Sequence, residues 1–378
     1  MSFTSFDLHP DLLRGVQAIG FTTPTPIQQA AIPPAMAGRD VLACAVTGSG
    51  KTAAYLLPIL HRFIGGPRGR TRALVLAPTR ELAAQIDEHR QELARPAGIG
   101  GAAVVGGVAM GPQEQAFRRG VDVLVATPGR LLDHLRRPYA RLDGLEVLVL
   151  DEADRMLDMG FLPDIRRVLA QLPSKRQNLL FSATMPPPIA ALAREMLRTP
   201  VAINVEKPSA PPPQIRHTAY PVAQELKGAL LLELLHGSDL RSVLAFTRTK
   251  HRANRLQKFL ARHGVPSDRI HGNRSQSQRT SALSGFKAGK FRVLVATDIA
   301  ARGIDIDGLS HVVNFDVPNV PDDYIHRVGR TARADATGAA FTFVSPDEES
   351  DLRTIERALR TPIERRRPGT VSLPDNRG

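Results

Sequence analysis

Val147-Leu148-Val149-Leu150-Asp151-Glu152-Ala153-Asp154 is an apolar run that stops abruptly in carboxylates. Four apolar residues in a row read as a strand buried on both faces, the pattern of a parallel sheet. Open parallel sheets bind ligands outside the carboxyl ends of their strands. Asp151 and Glu152 fall at that end. Upstream, Ala45-Val46-Thr47-Gly48-Ser49-Gly50-Lys51-Thr52 reads as a phosphate-binding loop between a strand and a helix. Gly48 and Gly50 let backbone amides approach phosphate oxygens, with Thr47 before them and Ser49 between them. Lys51 neutralises the β and γ phosphates, and Thr52 offers a hydroxyl to magnesium. Ala45 stands where the general pattern has its first glycine, but the strand before the loop and the helix pattern after it restore the reading. Loop and acidic pair together imply Mg2+ and a nucleoside triphosphate. Asp151 is then the magnesium-linked carboxylate, and Glu152 orients and activates the attacking water. Taken alone, the pair would be only an acidic helix start.

The same grammar extends along the chain. Apolar runs at 41–45, 73–77, 102–105, 121–126, 147–150, 178–181 and 201–205 alternate with amphipathic segments. This is the signature of βαβ units and a parallel sheet. A proline-rich stretch at 206–213 interrupts it and reads as a semi-rigid linker. Strand patterns resume at 243–246, 268–271, 293–296, 312–315 and 340–344, with helical patterns at 224–235, 250–262, 276–288 and 322–330. The expected fold class is α/β. It comprises two tandem domains at 1–205 and 215–362, each a parallel sheet flanked by helices. A short linker at 206–214 joins them, and a basic tail at 363–378 is expected to be disordered.

The halves echo each other. Leu74-Val75-Leu76-Ala77-Pro78-Thr79-Arg80 resembles Ser242-Val243-Leu244-Ala245-Phe246-Thr247-Arg248 at an offset of 168. Val123-Leu124-Val125-Ala126-Thr127 recurs as Val293-Leu294-Val295-Ala296-Thr297 at an offset of 170. Two matches in one order favour a duplicated domain.

Composition narrows the partner. Of 378 residues, 42% are hydrophobic and 23% charged, as in a globular protein, and the net charge is +13. Residues 241–302 hold fourteen Lys and Arg against two acids, Asp268 and Asp298. Such a footprint suits nucleic acid. Aromatics are scarce at 5% and tryptophan is absent, which points to backbone contacts rather than base stacking. No signal peptide or membrane span is read, and Cys44 is the sole cysteine, so no disulfide or zinc cluster is expected. The expected location is the cytoplasm.

Two further segments invite a role. In Gly20-Phe21-Thr22-Thr23-Pro24-Thr25-Pro26-Ile27-Gln28, Gln28 can pair with adenine N6 and N7 and Phe21 can stack on the ring; a proline-stiffened loop is the competing view. In Tyr324-Ile325-His326-Arg327-Val328-Gly329-Arg330-Thr331-Ala332-Arg333, a helix would place Arg327, Arg330 and Arg333 on one face. An anion such as phosphate would offset their repulsion, in the manner of an arginine finger.

These residues together resemble the DEAD-box RNA helicases of superfamily 2, over about residues 3–345. The elements stand in family order: the segment ending at Gln28, the phosphate loop, Pro78-Thr79-Arg80-Glu81-Leu82-Ala83, Gly106-Gly107, Thr127-Pro128-Gly129-Arg130, the Asp151–Asp154 tetrad and Ser182-Ala183-Thr184. Phe246-Thr247-Arg248, Gln276 with Arg279, Ala296-Thr297-Asp298 through Asp305, and the arginine segment follow. Residues 271–279 look most like the bacterial RhlE branch. Ala332 and Asp335 depart from positions where glycine is frequent.

The resemblance implies two RecA-like domains with ATP and Mg2+ between them. Phe21, Gln28, Gly48, Gly50, Lys51, Thr52, Asp151 and Glu152 would form one wall. Asp305 (ribose), Arg330 and Arg333 (γ-phosphate) would form the other. Ser182 and Thr184 would couple the nucleotide to closure, with His326 facing them. RNA would run over Arg80, Gly107, Thr127 and Arg130, then Arg248, Gln276, Thr297 and Gly303. The expected activity is RNA-stimulated ATP hydrolysis with local unwinding of short duplexes by a monomer. Ribosome-assembly or RNA-decay proteins are candidate partners. An ATP-gated RNA clamp and a DNA translocase are the alternatives.

Overall fold

The computed structural model describes residues 2–46, 48–205, 215–237, 240–301, 309–331 and 338–367, without the side chains at 299 and 322. The first sheet has seven strands: β1 (Val41–Cys44), β2 (Ala73–Leu76), β3 (Gly101–Val104), β4 (Val123–Ala126), β5 (Val147–Leu150), β6 (Gln177–Ser182) and β7 (Val201–Asn204). Their order is β3-β4-β2-β5-β6-β1-β7, with every pairing parallel. The helices are α1 (Pro10–Ala18), α2 (Pro26–Met36), α3 (Lys51–Phe63), α4 (Arg80–Ala94), α5 (Met110–Arg119), α6 (Pro128–Leu135), α7 (Ala153–Asp158), α8 (Leu162–Leu169) and α9 (Pro187–Met196).

Continuous apolar strands are required because helices cover both faces of this sheet. Val75, Val125 and Val149 point into one core with α1–α4. Leu74, Leu124 and Leu148 point into the other with α5–α9. All six are fully buried, each stabilising the fold by about 1.5–3 kcal/mol.

The second sheet comprises β8 (Ile215–Pro221), β9 (Val243–Phe246), β10 (Ser267–Ile270), β11 (Val293–Ala296), β12 (His311–Asn314), β13 (Gly338–Val344) and β14 (Glu364–Arg365). It is flanked by α10 (Lys227–Gly237), α11 (Lys250–Arg262), α12 (Gln276–Lys287), α13 (Asp298–Ala301), α14 (Pro321–Val328) and α15 (Glu349–Leu359). Its order is β10-β11-β9-β12-β13-β8-β14, the first sheet's order with every label raised by seven. Both sheets are therefore built to one topology. The chain divides into two units, Met1–Ser209 and Ala210–Gly378. The linker expected at 206–214 lies outside the described residues, as do 368–378 of the tail.

Three expectations change. The repeat distance is 170 residues for both echoes: β2 and β9 keep it, as do β4 and β11. The helix-capping threonines Thr79 and Thr249, which accept from Leu82 N and Arg252 N, keep it too. The offset of 168 was two residues out, because short apolar runs match in more than one register. The tail is ordered at its start. Ile363 is buried, β14 pairs with β8, and Arg365 bonds Glu349 and Glu356. The arginine segment is not one helix. α14 ends at Val328, so Arg330 falls beyond the helix that carries Arg327, and Arg333 lies outside the described residues.

Candidate active site and nucleic-acid interface

The phosphate loop leaves β1 and enters α3. Gly48 (φ 80°) and Gly50 (φ 93°) take left-handed conformations that favour glycine. At Gly50 space decides as well: a Cβ would lie 2.6 Å from Gln28 Nε2 and 3.0 Å from Thr25 Oγ1. The Lys51 ammonium is buried and folds back to donate to Ala45 O at 2.8 Å. Ser49 Oγ donates to Val46 O at 2.8 Å. Thr47 lies outside the described residues.

Gln28 sits in the first turn of α2, not in a loop. It forms a capping box with Thr25, its Oε1 accepting from Thr25 N at 2.9 Å and its Nε2 donating to Gly50 O at 3.1 Å. The candidate adenine reader is thus wired to the phosphate loop. Phe21 packs one face on Phe3, with centroids 6.2 Å apart and planes 19° apart.

Asp151 follows β5 and is buried. Its Oδ2 accepts from Tyr55 on α3 at 2.9 Å, while its Oδ1 has no hydrogen-bond partner among the described residues. Burial pushes its pKa up to about 6, against the pull of Lys51. An unsatisfied buried carboxylate oxygen is costly and suits a cation. Among the described residues no three His, Cys, Asp or Glu side chains converge. Mg2+ is commonly held by one or two carboxylates plus substrate phosphates, so Asp151 with Thr52 fits that ion.

Glu152 adopts φ 51°, a left-handed conformation rare outside glycine, asparagine and aspartate. Arg155 donates to its carboxylate at 2.6 Å. Asp154 is a hub: its N–H donates to Ser182 Oγ at 3.1 Å, and its Oδ2 accepts from Thr184 N and Oγ1, both at 2.8 Å. Ser182 and Thr184 therefore meet the tetrad through one residue, Ser182 at the Asp154 backbone and Thr184 at its carboxylate. Cys44 Sγ donates to Ala183 O at 3.3 Å, and burial raises its thiol pKa.

The RNA candidates of the first unit gather after β2, β3 and β4, which are neighbours in the sheet. Arg80 opens α4 and lies against Gly106-Gly107, where a Cβ on Gly107 (φ 72°) would come within 1.9 Å of its Nη1. Arg130 donates to Val108 O at 2.9 Å. Thr127 is buried at the N-cap position of α6, without a side-chain capping bond. In the second unit the neighbours β9, β10 and β11 bring Arg248, Gln276 and Thr297 to the corresponding edge. The Arg248 amide donates to Asp316 Oδ2 at 2.8 Å, and its guanidinium reaches Val317 O at 3.0 Å and Glu348 at 3.4 Å. Gly303 lies outside the described residues.

Arg327 has its anion inside the protein. Fully buried, it makes a bidentate pair with Asp298 at 2.5 and 2.8 Å, donates to Asn314 and Asp316 O, and stacks over Phe246. It therefore positions the segment around it. Arg330 and exposed His326 line a cleft with Asp298, Asp323 and Phe246. Asp305 and Arg333 lie outside the described residues.

The DEAD/DEAH box helicase model matches residues 25–192, and the helicase conserved C-terminal domain model matches residues 226–335. The chain belongs to the DEAD-box helicase family. The DEAD-box ATP-dependent RNA helicase CshA of Bacillus subtilis is 40% identical over 98% of this chain and 75% of its own length. The ATP-dependent RNA helicase CshA of Listeria monocytogenes is 41% identical over 95% of this chain and 69% of its own. Among solved structures, S. cerevisiae Dbp5 bound to RNA and ADP BeF3 covers 97% of this chain and 96% of its own at 32% identity, with a TM-score of 0.85. That likeness makes the two sheets the tandem RecA-like domains of DEAD-box helicases. The RhlE-like placement draws no support from these relatives, which are named CshA.

Sequence reasoning missed Tyr55, Arg155 and Asp154 as partners of the site. Tyr55 carried a signal: it stands four residues after Lys51, on the same side of α3. The hub at Asp154 needs contacts across 28 to 30 residues that spacing does not reveal.

Proposed function

We propose that this protein is an ATP-dependent RNA helicase that hydrolyses ATP when bound to RNA and locally separates short duplexes. The observation that carries the reading is the shared edge of the first sheet. Lys51, Asp151 and Ser182 follow or end β1, β5 and β6, beside Arg80, Gly107 and Thr127 after β2, β3 and β4. Family membership and the RNA-bound Dbp5 likeness support it.

In this reading Lys51 and the loop amides hold the β and γ phosphates. Phe21 stacks on adenine, and Gln28 exchanges Gly50 O for the base edge. Magnesium, held through Thr52 and Asp151, would neutralise charge on the phosphates. Glu152 orients the attacking water and takes its proton. Asp305 binds ribose, and Arg330 and Arg333 meet the charge of the transferring phosphoryl group. Asp154 passes nucleotide-dependent movement to Ser182 and Thr184, which His326 approaches from the second unit. Arg80, Gly107, Thr127 and Arg130, with Arg248, Gln276, Thr297 and Gly303, grip phosphates and 2′-hydroxyls. Such contacts select RNA without reading its bases. The reading includes action as a monomer in the cytoplasm, on RNA met during ribosome assembly or decay. Among the described residues no helix is long and apolar enough to cross a membrane.

The test is ATP hydrolysis with and without RNA, and strand release from a short RNA duplex. RNA is expected to stimulate hydrolysis, with Glu152→Gln abolishing it while nucleotide binding persists. Wild-type hydrolysis indifferent to RNA, or activity surviving in Glu152→Gln, would falsify the reading. ATP-dependent RNA binding without strand release would make the protein a clamp.

A further inference from the structure

Helix α11 carries five cations, Lys250, Arg252, Arg255, Lys258 and Arg262, and no carboxylate. Arg252 turns inward, 2.6 Å from Asp316. His251, Arg255, Lys258 and Arg262 are exposed. Their spacing of four, three and four residues puts them in one stripe on one face, about 16 Å long at the helical rise. Arg255, Lys258 and Arg262 have no ion-pair partner among the described residues. Like charges three and four residues apart weaken a helix, so the stripe opposes its own fold unless a polyanion meets it.

The topology does not demand this charge. α4 occupies the same place in the first unit, and Arg80 and Lys250 open the two helices 170 residues apart. At that spacing Glu88 and Glu92, both exposed, stand where Lys258 and Arg262 stand. α4 carries Glu81, Asp87, Glu88 and Glu92 against Arg80 and Arg90. One helix position has opposite charge in the two copies.

We infer that the outer face of α11 binds the phosphate backbone of RNA flanking the segment held at Arg248, Gln276 and Thr297. The inference rests on the helicase reading. Lys250 corresponds to Arg80 and begins α11 at the edge where Arg248 lies, so the stripe leads directly away from the core path. A row of unpaired cations complements phosphates without needing a shaped pocket. A protein partner would call for an apolar centre, and none of the exposed large hydrophobic residues, Val108, Val320 and Ile325, is on α11.

The experiment uses the full chain and the triple variant Arg255→Gln, Lys258→Gln, Arg262→Gln. Glutamine keeps helix propensity, and circular dichroism checks folding. Two probes are compared: a single-stranded RNA just long enough for full stimulation of hydrolysis, and the same RNA with a flanking duplex. On the short RNA the variant is expected to match wild type in affinity and stimulation. On the extended RNA it is expected to bind about 10- to 100-fold more weakly at low salt. Its plot of log affinity against log salt should be shallower by about 2 to 3, the loss of three phosphate contacts. An unchanged salt slope on the extended RNA overturns the inference. So does an equal loss on both RNAs, which would fold the stripe into the core path, or unchanged RNA binding with loss of an acidic protein partner. A wild-type protein that RNA does not stimulate would instead remove the underlying helicase reading.

Discussion

Lys51 and Lys227 occupy corresponding places in two copies of one topology and meet different partners. Each opens the helix that follows the first strand of its sheet, α3 after β1 and α10 after β8. Among the described residues Lys51 donates to a backbone carbonyl alone, Ala45 O, and one Asp151 oxygen has no hydrogen-bond partner. Lys227 is fully buried and donates to both Glu348 and Phe315 O, with Asp316 3.9 Å away. Asp316 stands two residues past β12, as Glu152 stands two past β5. Burial lowers the Lys227 pKa and raises that of Asp316. In the second unit a carboxylate from the chain itself takes the place that a phosphate would take in the first. In the proposed reading nucleotide binding therefore belongs to the glycine loop and the Asp151 carboxylate, not to the sheet that both units share.

The most severe way to break this comparison is Lys227→Met. It takes the buried cation from Glu348, leaving Ser345, Val317 N–H and the more distant Arg248 guanidinium, and is expected to cost about 3–5 kcal/mol, read as faster hydrogen exchange in α10 and β12. Nucleotide binding in the first unit should persist, and Glu348→Gln should restore part of the loss. A cost under about 1 kcal/mol would mean that Lys227 is not held as described. Lys51→Ala tests the other copy. Hydrolysis should fall by about 100-fold or more, near 2.7 kcal/mol of barrier, with little change in unfolding. Loss of folding instead would make Lys51 structural, like Lys227.

Smaller changes separate the two functions of the first sheet's edge. Gly50→Ala puts a methyl against Gln28 at a φ of 93°. It should weaken nucleotide binding by about 10-fold and spare RNA binding. Gly107→Ala displaces Arg80 and should do the reverse. Fluorescent nucleotide and RNA titrations on both variants read this, and a loss of both ligands in either would merge the two subsites. The mildest effect is acid sensitivity. Burial holds His134 and His217 below the ordinary 6.5. The unfolded chain then binds more protons just below 6.5, so stability falls as pH drops from about 7 to about 5. Urea unfolding of His134→Gln and His217→Gln should show a shallower acid loss.

Sheet order explains which parts were legible. β2, β4, β5, β9 and β11 are buried on both faces, so they appear as unbroken apolar runs. β8, Ile-Arg-His-Thr-Ala-Tyr-Pro, escaped notice because part of it is exposed beside the two-residue β14. α2 was hidden by Pro33 and Pro34 within it, and a proline-stiffened loop was the competing view of the segment up to Gln28. The phosphate loop and tetrad were legible because their chemistry is local. The roles of Asp154, Arg327 and Lys227 were not, because their hydrogen-bond partners lie 28 to 30, 11 to 29 and 88 to 121 residues away.

β1 lies between β6 and β7, both from the last part of its unit. During synthesis the strand that launches the phosphate loop emerges early, yet neither edge of it has a neighbour until 177–204 has been made. The nucleotide site must therefore be among the last parts of the first unit to assemble, and a chain stopped before Gln177 carries the loop without its frame. Such non-local pairing is slow to form. ATP could then engage a nascent chain only after its first sheet had closed around β1.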